Sequence, residues 1–193
     1  FEFNDIAKYA IKILDENELI REELKKKYKE ILIDEYQDTS DLQEKFVSLI
    51  ADNNVYMVGD LKQSIYRFRN ANPQLFKTKY DTFCGNEKLY DSLPKEEQLG
   101  FKIDLTDNFR SRNEVVNTIN LIFSQIMNEE VGGVNYKRDH QMIHGNKTYD
   151  SYIGKLSHQT EVLTYDYDKE KDINRSELEI RIIANDIVSK IKN

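Results

Sequence analysis

Residues 31–40 read ILIDEYQDTS. Ile31, Leu32 and Ile33 are β-favouring and apolar, and they run straight into the adjacent carboxylates Asp34 and Glu35, with Asp38 following within the next turn. A buried strand that ends in paired acids is how an α/β sheet brings a metal ligand and a general base to one edge. Phosphate chemistry on a nucleotide uses both groups. For an isolated Asp-Glu pair the competing reading is a polar strand end that caps the next helix through Asp38, Thr39 or Ser40.

Working outward, Ser40 and Gln43 form a capping-box pattern ahead of a helix that uses Leu42, Phe46, Leu49 and Ile50. Asp52-Asn53-Asn54 turns the chain into a second apolar run, VYMV at 55–58, which ends at Gly59-Asp60. Strand, helix and strand in this short span make a βαβ unit with parallel strands. Asp34 and Asp60 then share the carboxyl edge of one sheet, where such sheets bind ligands. Before the first strand, Ile6, Ala10, Ile13 and Leu14 stand at helical spacing with Asn4 or Asp5 as N-cap, and residues 21–30 continue as a solvated helix.

Residues 61–82 are polar, aromatic and basic, a loop and then a helix opened by Pro73. Cys84 to Gly100 is charged and turn-rich, the best linker, which divides the chain into domains 1–100 and 101–193. FKIDLT at 101–106 predicts a third strand, and Ser111 with Glu114 a further capping box. The helix behind it uses Val115, Ile119, Ile122, Phe123 and Ile126. Residues 128–159 lack periodicity and read as a long loop. TEVLTYD at 160–166 predicts a strand, followed by a solvated turn at Asp166, Asp168 and Lys169. A last helix opens at Ser176-x-x-Glu179, with a stripe of Ile180, Ile183, Ala184, Ile187, Val188 and Ile191.

The composition sets bounds. With 39% hydrophobic residues the 193-residue chain is globular rather than disordered. A net charge of −7 makes any nucleic-acid contact local. A single cysteine, Cys84, excludes an intramolecular disulfide and fits a reducing, cytoplasmic setting; it reads as a small packed residue. No apolar run approaches the roughly 20 residues of a membrane span. His140, His144 and His158 make a poor zinc set. Helical pattern starts at once, without an initiator Met, so the sequence reads as an internal segment.

Two further constellations carry chemistry. In GDLKQSIYRFRNA, 59–71, Gln63 is a neutral side chain able to sense a γ-phosphate, and Arg67 and Arg69 alternate with Tyr66 and Phe68. Interleaved cations and rings suit single-stranded nucleic acid, although an ordinary edge strand has the same pattern. In LTDNFRSRNE, 105–114, Arg110 lies between a predicted strand and a capped helix, placed to neutralise a transferring phosphoryl group, or else simply to cap a carboxylate. Phe109 offers a flat face to a purine.

Taken together, DEYQD, GDxxQSIYRFR and NFRS in this order resemble motifs II, III and IV of the UvrD/Rep-like superfamily 1A DNA helicases. The wording of FEFNDIAKYAIKIL, VGDLKQSIYRFRNANPQLF and NFRSRNEVVNTINLIFSQIM is similar to the AddA (RexA) type of helicase–nuclease chain within that group. The resemblance covers residues 1–135 strongly and 160–193 only as strand then helix. It implies a partial RecA-like, P-loop-NTPase-type α/β fold, a parallel sheet flanked by helices, with parts of two motor domains. It also implies ATP and Mg²⁺ as cofactors, with Asp34 on the metal and Glu35 as catalytic base. Gln63 would couple the γ-phosphate to DNA, with Asp60 beside it at the nucleotide. Tyr66, Arg67, Phe68 and Arg69 would contact DNA, Phe109 would pack on adenine, and Arg110 would act as an arginine finger. The implied activity is 3′–5′ DNA translocation and unwinding in double-strand-break repair and recombination, with exonuclease activity in the parent. Implied partners are single-stranded DNA, duplex ends and an AddB (RexB)-type subunit, with no membrane.

The sequence also departs from that family. No G-x-x-x-x-G-K-[ST] occurs, since no two of the seven glycines stand five apart. An isolated chain of this kind is expected to be inactive. The alternative is a catalytically dead DNA- or protein-binding module on the same fold. A Mg²⁺-dependent phosphatase with an acid pair is a remoter option, because it has no use for the aromatic-basic loop.

Overall fold

A computed structural model describes residues 2–151, 158–167 and 174–192. The chain divides into two compact units, one up to Leu105 and one from Thr106 onward. The fold is mixed α/β, with two small parallel strand pairs.

In the first unit, α1 (Phe3–Glu16) and α2 (Glu18–Lys27) pack on α3 (Asp41–Ile50). Leu14, Leu49 and Ile50 are buried together, with Ile11, Leu24, Ile31 and Phe46 around them. The inward line of α1 is therefore Ile11 and Leu14. Ile6 and Ile13 from the expected stripe are exposed. The helix also starts earlier than predicted: Glu2 is its N-cap, and Asp5 accepts the Glu2 N–H at 3.1 Å. The Ser40–Gln43 capping box forms as read, with Ser40 Oγ accepting from Gln43 N–H and Gln43 Oε1 from Ser40 N–H.

Strands β1 (Ile31–Ile33) and β2 (Val55–Met57) are parallel, with Ile31 opposite Val55 and Ile33 opposite Met57. The ladder continues past the strand ends, through Val58 N–H to Ile33 O and Tyr36 N–H to Val58 O, both 2.9 Å. Helix α4 (Pro73–Thr82) has Pro73 in its first turn, as predicted, and Asn72 is its N-cap. The stretch read as a linker contains α5 (Glu87–Ser92) and a 3₁₀ turn at Lys95–Glu97.

The run FKIDLT is not a strand. Only Phe101 bridges to Cys84, and Ile103 and Leu105 are exposed. A β-favouring run makes a strand only where another strand pairs with it along its length, and here the pairing is confined to the two ends, Lys102 N–H to Cys84 O and Ile143 N–H to Thr106 O, both 2.9 Å.

In the second unit, β3 (Asp107–Asn108) pairs in parallel with β4 (Ile143–His144). Helix α6 (Asn113–Ile126) has Arg112 at its N-cap with no side-chain cap bond, so the Ser111–Glu114 capping box does not form. Asn108 Oδ1 instead accepts from Arg110 and Ser111 N–H, at 3.0 and 2.8 Å. Val116 is the buried residue of α6, whereas Val115, Ile122 and Ile126 are exposed. Asn120 fastens the stretch expected to be featureless: its Oδ1 accepts from Tyr136 Oη–H and Met142 N–H, and its Nδ2 donates to Met142 O. That stretch holds a π turn at Tyr136–His140, β4 and a 3₁₀ turn at Lys147–Ser151; residues 152–157 lie outside the described residues.

Residues 160–166 are not a strand either; Val162 and Leu163 are exposed. The Thr160 hydroxyl meets that of Thr118 on α6 at 2.7 Å. Helix α7 (Arg175–Lys192) begins a residue before Ser176, whose N–H donates to Asn174 Oδ1. Its predicted apolar stripe forms, but Ile180, Ile183, Ile187, Val188 and Ile191 are exposed. The turn read at Asp168 and Lys169 lies outside the described residues.

Candidate functional site

The carboxyl ends of β1 and β2 place the residues that follow them side by side, Asp34 and Glu35 after one strand and Gly59 and Asp60 after the other. Asp34 and Glu35 are exposed. Glu35 takes a left-handed backbone, φ 49° and ψ 45°, and opens the 3₁₀ turn Tyr36–Asp38. A non-glycine residue in that region carries steric strain, and the surrounding structure has to hold it there. Two local bonds do so: Asp34 Oδ1 accepts from Glu35 N–H at 2.9 Å, and Gln37 Nε2 donates to Glu35 Oε2 at 2.7 Å.

Gln37 is 1% exposed. Its other atom, Oε1, accepts the Asp60 N–H at 2.9 Å. The amide orientation is chemically determined, because a flipped group would face oxygen to carboxylate and N–H to N–H. Gly59 is required by this approach: a Cβ there would lie 2.6 Å from Gln37 Oε1 and 3.1 Å from Tyr36 N.

Asp60 anchors the start of the next turn. Lys62 Nζ lies 2.8 Å from Oδ1, Lys62 N–H donates to Oδ1 at 3.1 Å, and Gln63 Nε2 donates to Oδ2 at 3.0 Å. Burial works to raise the Asp60 pKa, but the hydrogen bonds from Lys62 and Gln63 and the Lys62 charge outweigh it. The carboxyl ends below its ordinary value.

Beyond Gln63 the chain makes a 3₁₀ turn at Arg67–Arg69, not an edge strand. Tyr66 and Phe68 rings stand 5.9 Å apart, and the Arg69 guanidinium sits 5.1 Å and 5.5 Å from their centroids. Phe68 is 75% exposed. Exposed rings with a cation beside them have the chemistry that base stacking and phosphate contact use. Arg67 lies on the same turn and is exposed.

Behind the turn, the fully buried Tyr36 ring stacks edge-on against Phe76 at 5.8 Å. Lys79 Nζ pairs with Glu44 Oε1 at 2.8 Å and lies over the Tyr36 ring. Sequence reading missed Gln37, Gly59 and this support. The available signal was a neutral donor–acceptor set between two acids.

Phe109 and Arg110 belong to the second unit. Phe109 is 64% exposed, with one ring edge against Gly145, where a Cβ would fall 2.8 Å from Cε1. Arg110 is held by its backbone, and no ion pair engages it among the described residues; the neighbouring pair is Arg112–Glu114. The carboxylate-capping reading of Arg110 therefore has no partner among those residues.

Residues 1–84 match the UvrD/REP helicase N-terminal domain. Over these residues the chain belongs to the UvrD/REP helicase family. That domain implies a RecA-like fold for residues 1–84. The chain is 42% identical to the A-type chain of the ATP-dependent helicase/nuclease of Streptococcus pyogenes serotype M5 (strain Manfredo) over 195 residues, covering 97% of this chain. Identity is also 42% to the protein of the same name from serotype M49 (strain NZ131), and 41% to that from serotype M12 (strain MGAS2096). The chain spans about 15% of the length of these relatives.

The site has a chemistry that suits a metal nucleotide. Mg²⁺ in such sites takes one or two carboxylates and completes its shell with phosphate oxygens and water. Asp34 fits that demand, being exposed with one oxygen committed to Glu35 N–H. No cluster of three or more acidic, histidine or cysteine ligands occurs among the described residues. His144 is buried and bonded to Asp150 at 3.0 Å. No described helix is long and apolar enough to cross a membrane.

Proposed function

We propose that this chain is the part of an ATP-driven, 3′–5′ DNA translocase and helicase that carries the hydrolytic base and the DNA-side loop, within a helicase–nuclease of the AddAB (RexAB) type. The observation that carries the reading is the Gln37 bridge. It joins the strained Glu35 to the strand end that leads into Gln63 and the exposed Tyr66–Phe68–Arg69 cluster.

In this reading Glu35 accepts the proton of the attacking water, from an exposed carboxylate at the sheet edge. Asp34 holds Mg²⁺, which when bound neutralises phosphate charge. Gln63, whose amide rests on Asp60, contacts the γ-phosphate. Phe109 packs on the adenine and Arg110 neutralises the developing charge. Tyr66 and Phe68 stack on bases, with Arg67 and Arg69 at the phosphates. Residues 1–100 and 101–193 are parts of successive motor domains. The whole protein works in double-strand-break repair and recombination in the cytoplasm, pairs with an AddB-type partner, and carries exonuclease activity.

Glu35→Gln in the full-length parent tests the assignment. ATP binding is retained and hydrolysis is lost; surviving turnover would show that Glu35 is not the base. The 193-residue chain, with no phosphate-cradling loop in its sequence, hydrolyses ATP negligibly, and robust Mg²⁺-ATPase activity from it would overturn the assignment of that chemistry to a longer protein.

A further inference from the structure

We propose that Gln37 is a positioning residue that makes Glu35 and the loop Asp60–Asn72 move as one body, so that hydrolysis responds to DNA. The proposal rests on the preceding assignment of Glu35 as base and residues 66–69 as a DNA surface. Four observations carry it. Gln37 is buried and spends its donor on Glu35 and its acceptor on Asp60 N–H, so neither contact can shift without the other. Gly59 leaves no room for a side chain that would separate them. The far end of the loop is pinned to the same turn, with Asn72 N–H donating to Thr39 O at 2.9 Å and Asn72 Nδ2 to Asp41 Oδ1 at 2.7 Å. Glu35 itself sits in a left-handed conformation that depends on its neighbours. A loop tethered at both ends to the base-bearing turn transmits displacement at Tyr66 and Phe68 to the carboxylate.

The test uses the full-length parent with oligothymidylate as the DNA probe. In Gln37→Met, which removes donor and acceptor at similar volume, the ratio of DNA-stimulated to DNA-free kcat falls at least tenfold. KM for ATP and affinity for the oligonucleotide stay within twofold. An unchanged ratio overturns the proposal, whether the rates are normal or fall in proportion with a lowered melting temperature. Should Gln37→Met not fold, Gln37→Glu decides, since it keeps shape and the Asp60 acceptor but faces Glu35 with a second carboxylate. Its stimulated kcat falls at least tenfold at constant KM, and a smaller fall overturns the proposal. Turnover that survives Glu35→Gln would sink the functional assignment itself. Loss in Glu35→Gln with insensitivity at Gln37 would sink only the coupling.

Discussion

The hydroxyl of Tyr36 donates to Glu44 Oε2 at 2.6 Å, and it does so from a side chain with no solvent exposure. Burial first, and then the Glu44 carboxylate, push the Tyr36 phenol far above its ordinary pKa, so it remains a donor throughout the accessible range. Helix α3 is thereby bonded to the turn that carries Glu35. Tyr36→Phe removes the donor and keeps the ring under Lys79. Hydrogen bonds to charged groups contribute about 1.5–3 kcal/mol, and the surviving Lys79 pair places this case at the lower end. Urea unfolding of the chain reads the loss, and a change below a few tenths of a kcal/mol would mean that the bond contributes nothing net.

Asp60 makes the stability of its turn sensitive to acid. Its pKa is lowered in the folded chain, so the unfolded state binds more protons between the folded value and the ordinary 3.8. Stability from this group is therefore fully present above that range and is lost as pH falls through the folded pKa. Asp60→Asn flattens the acid limb of a stability–pH curve and leaves the neutral region without slope. A slope that persists unchanged in the variant would assign the acid sensitivity to other carboxylates.

Phe68 presents most of its ring to solvent beside Arg69, which makes it the stronger of the two stacking candidates. Phe68→Ala in the parent weakens single-strand binding by about 1–3 kcal/mol, read by fluorescence anisotropy of a labelled oligonucleotide. Unaltered affinity would remove Phe68 from the DNA surface.

Arg110 is held by backbone through Asn108 while its guanidinium has no ion-pair partner among the described residues. If it acts as an arginine finger, Arg110→Ala slows ATP turnover in the parent by roughly 10³-fold or more, with KM changed far less. A loss under tenfold in steady-state kcat would take that role away.

Local rules make part of this molecule legible in the sequence. The Ser40–Gln43 box, Pro73 in a first helical turn, and the apolar runs at 31–33 and 55–58 with a helix between them all depend on neighbours within a few residues. Parallel pairing of those runs follows from a helical crossover, and it puts Asp34 and Asp60 at one edge. The motif wording also carries family membership, because side chains that meet substrate are specified by chemistry rather than by packing. Residues 101–106 and 160–166 read as strands for the same local reasons and are not, because strand formation is a pairing event and their backbone partners are not in the sequence pattern. The stripes on α1 and α6 differ from those expected, since only the elements packed against each face, α3 for Leu14 and the Tyr136–His140 turn with β4 for α6, select which residues are buried. The left-handed turn at Glu35, the two-sided amide of Gln37 and the close approach of Gln37 to Gly59 are decided by tertiary structure alone. They arise where two strand ends, 23 residues apart in sequence between Gln37 and Asp60, come within hydrogen-bond distance. What the sequence determined by itself was which chemical groups stand at the sheet edge; folding decided which of them hold one another.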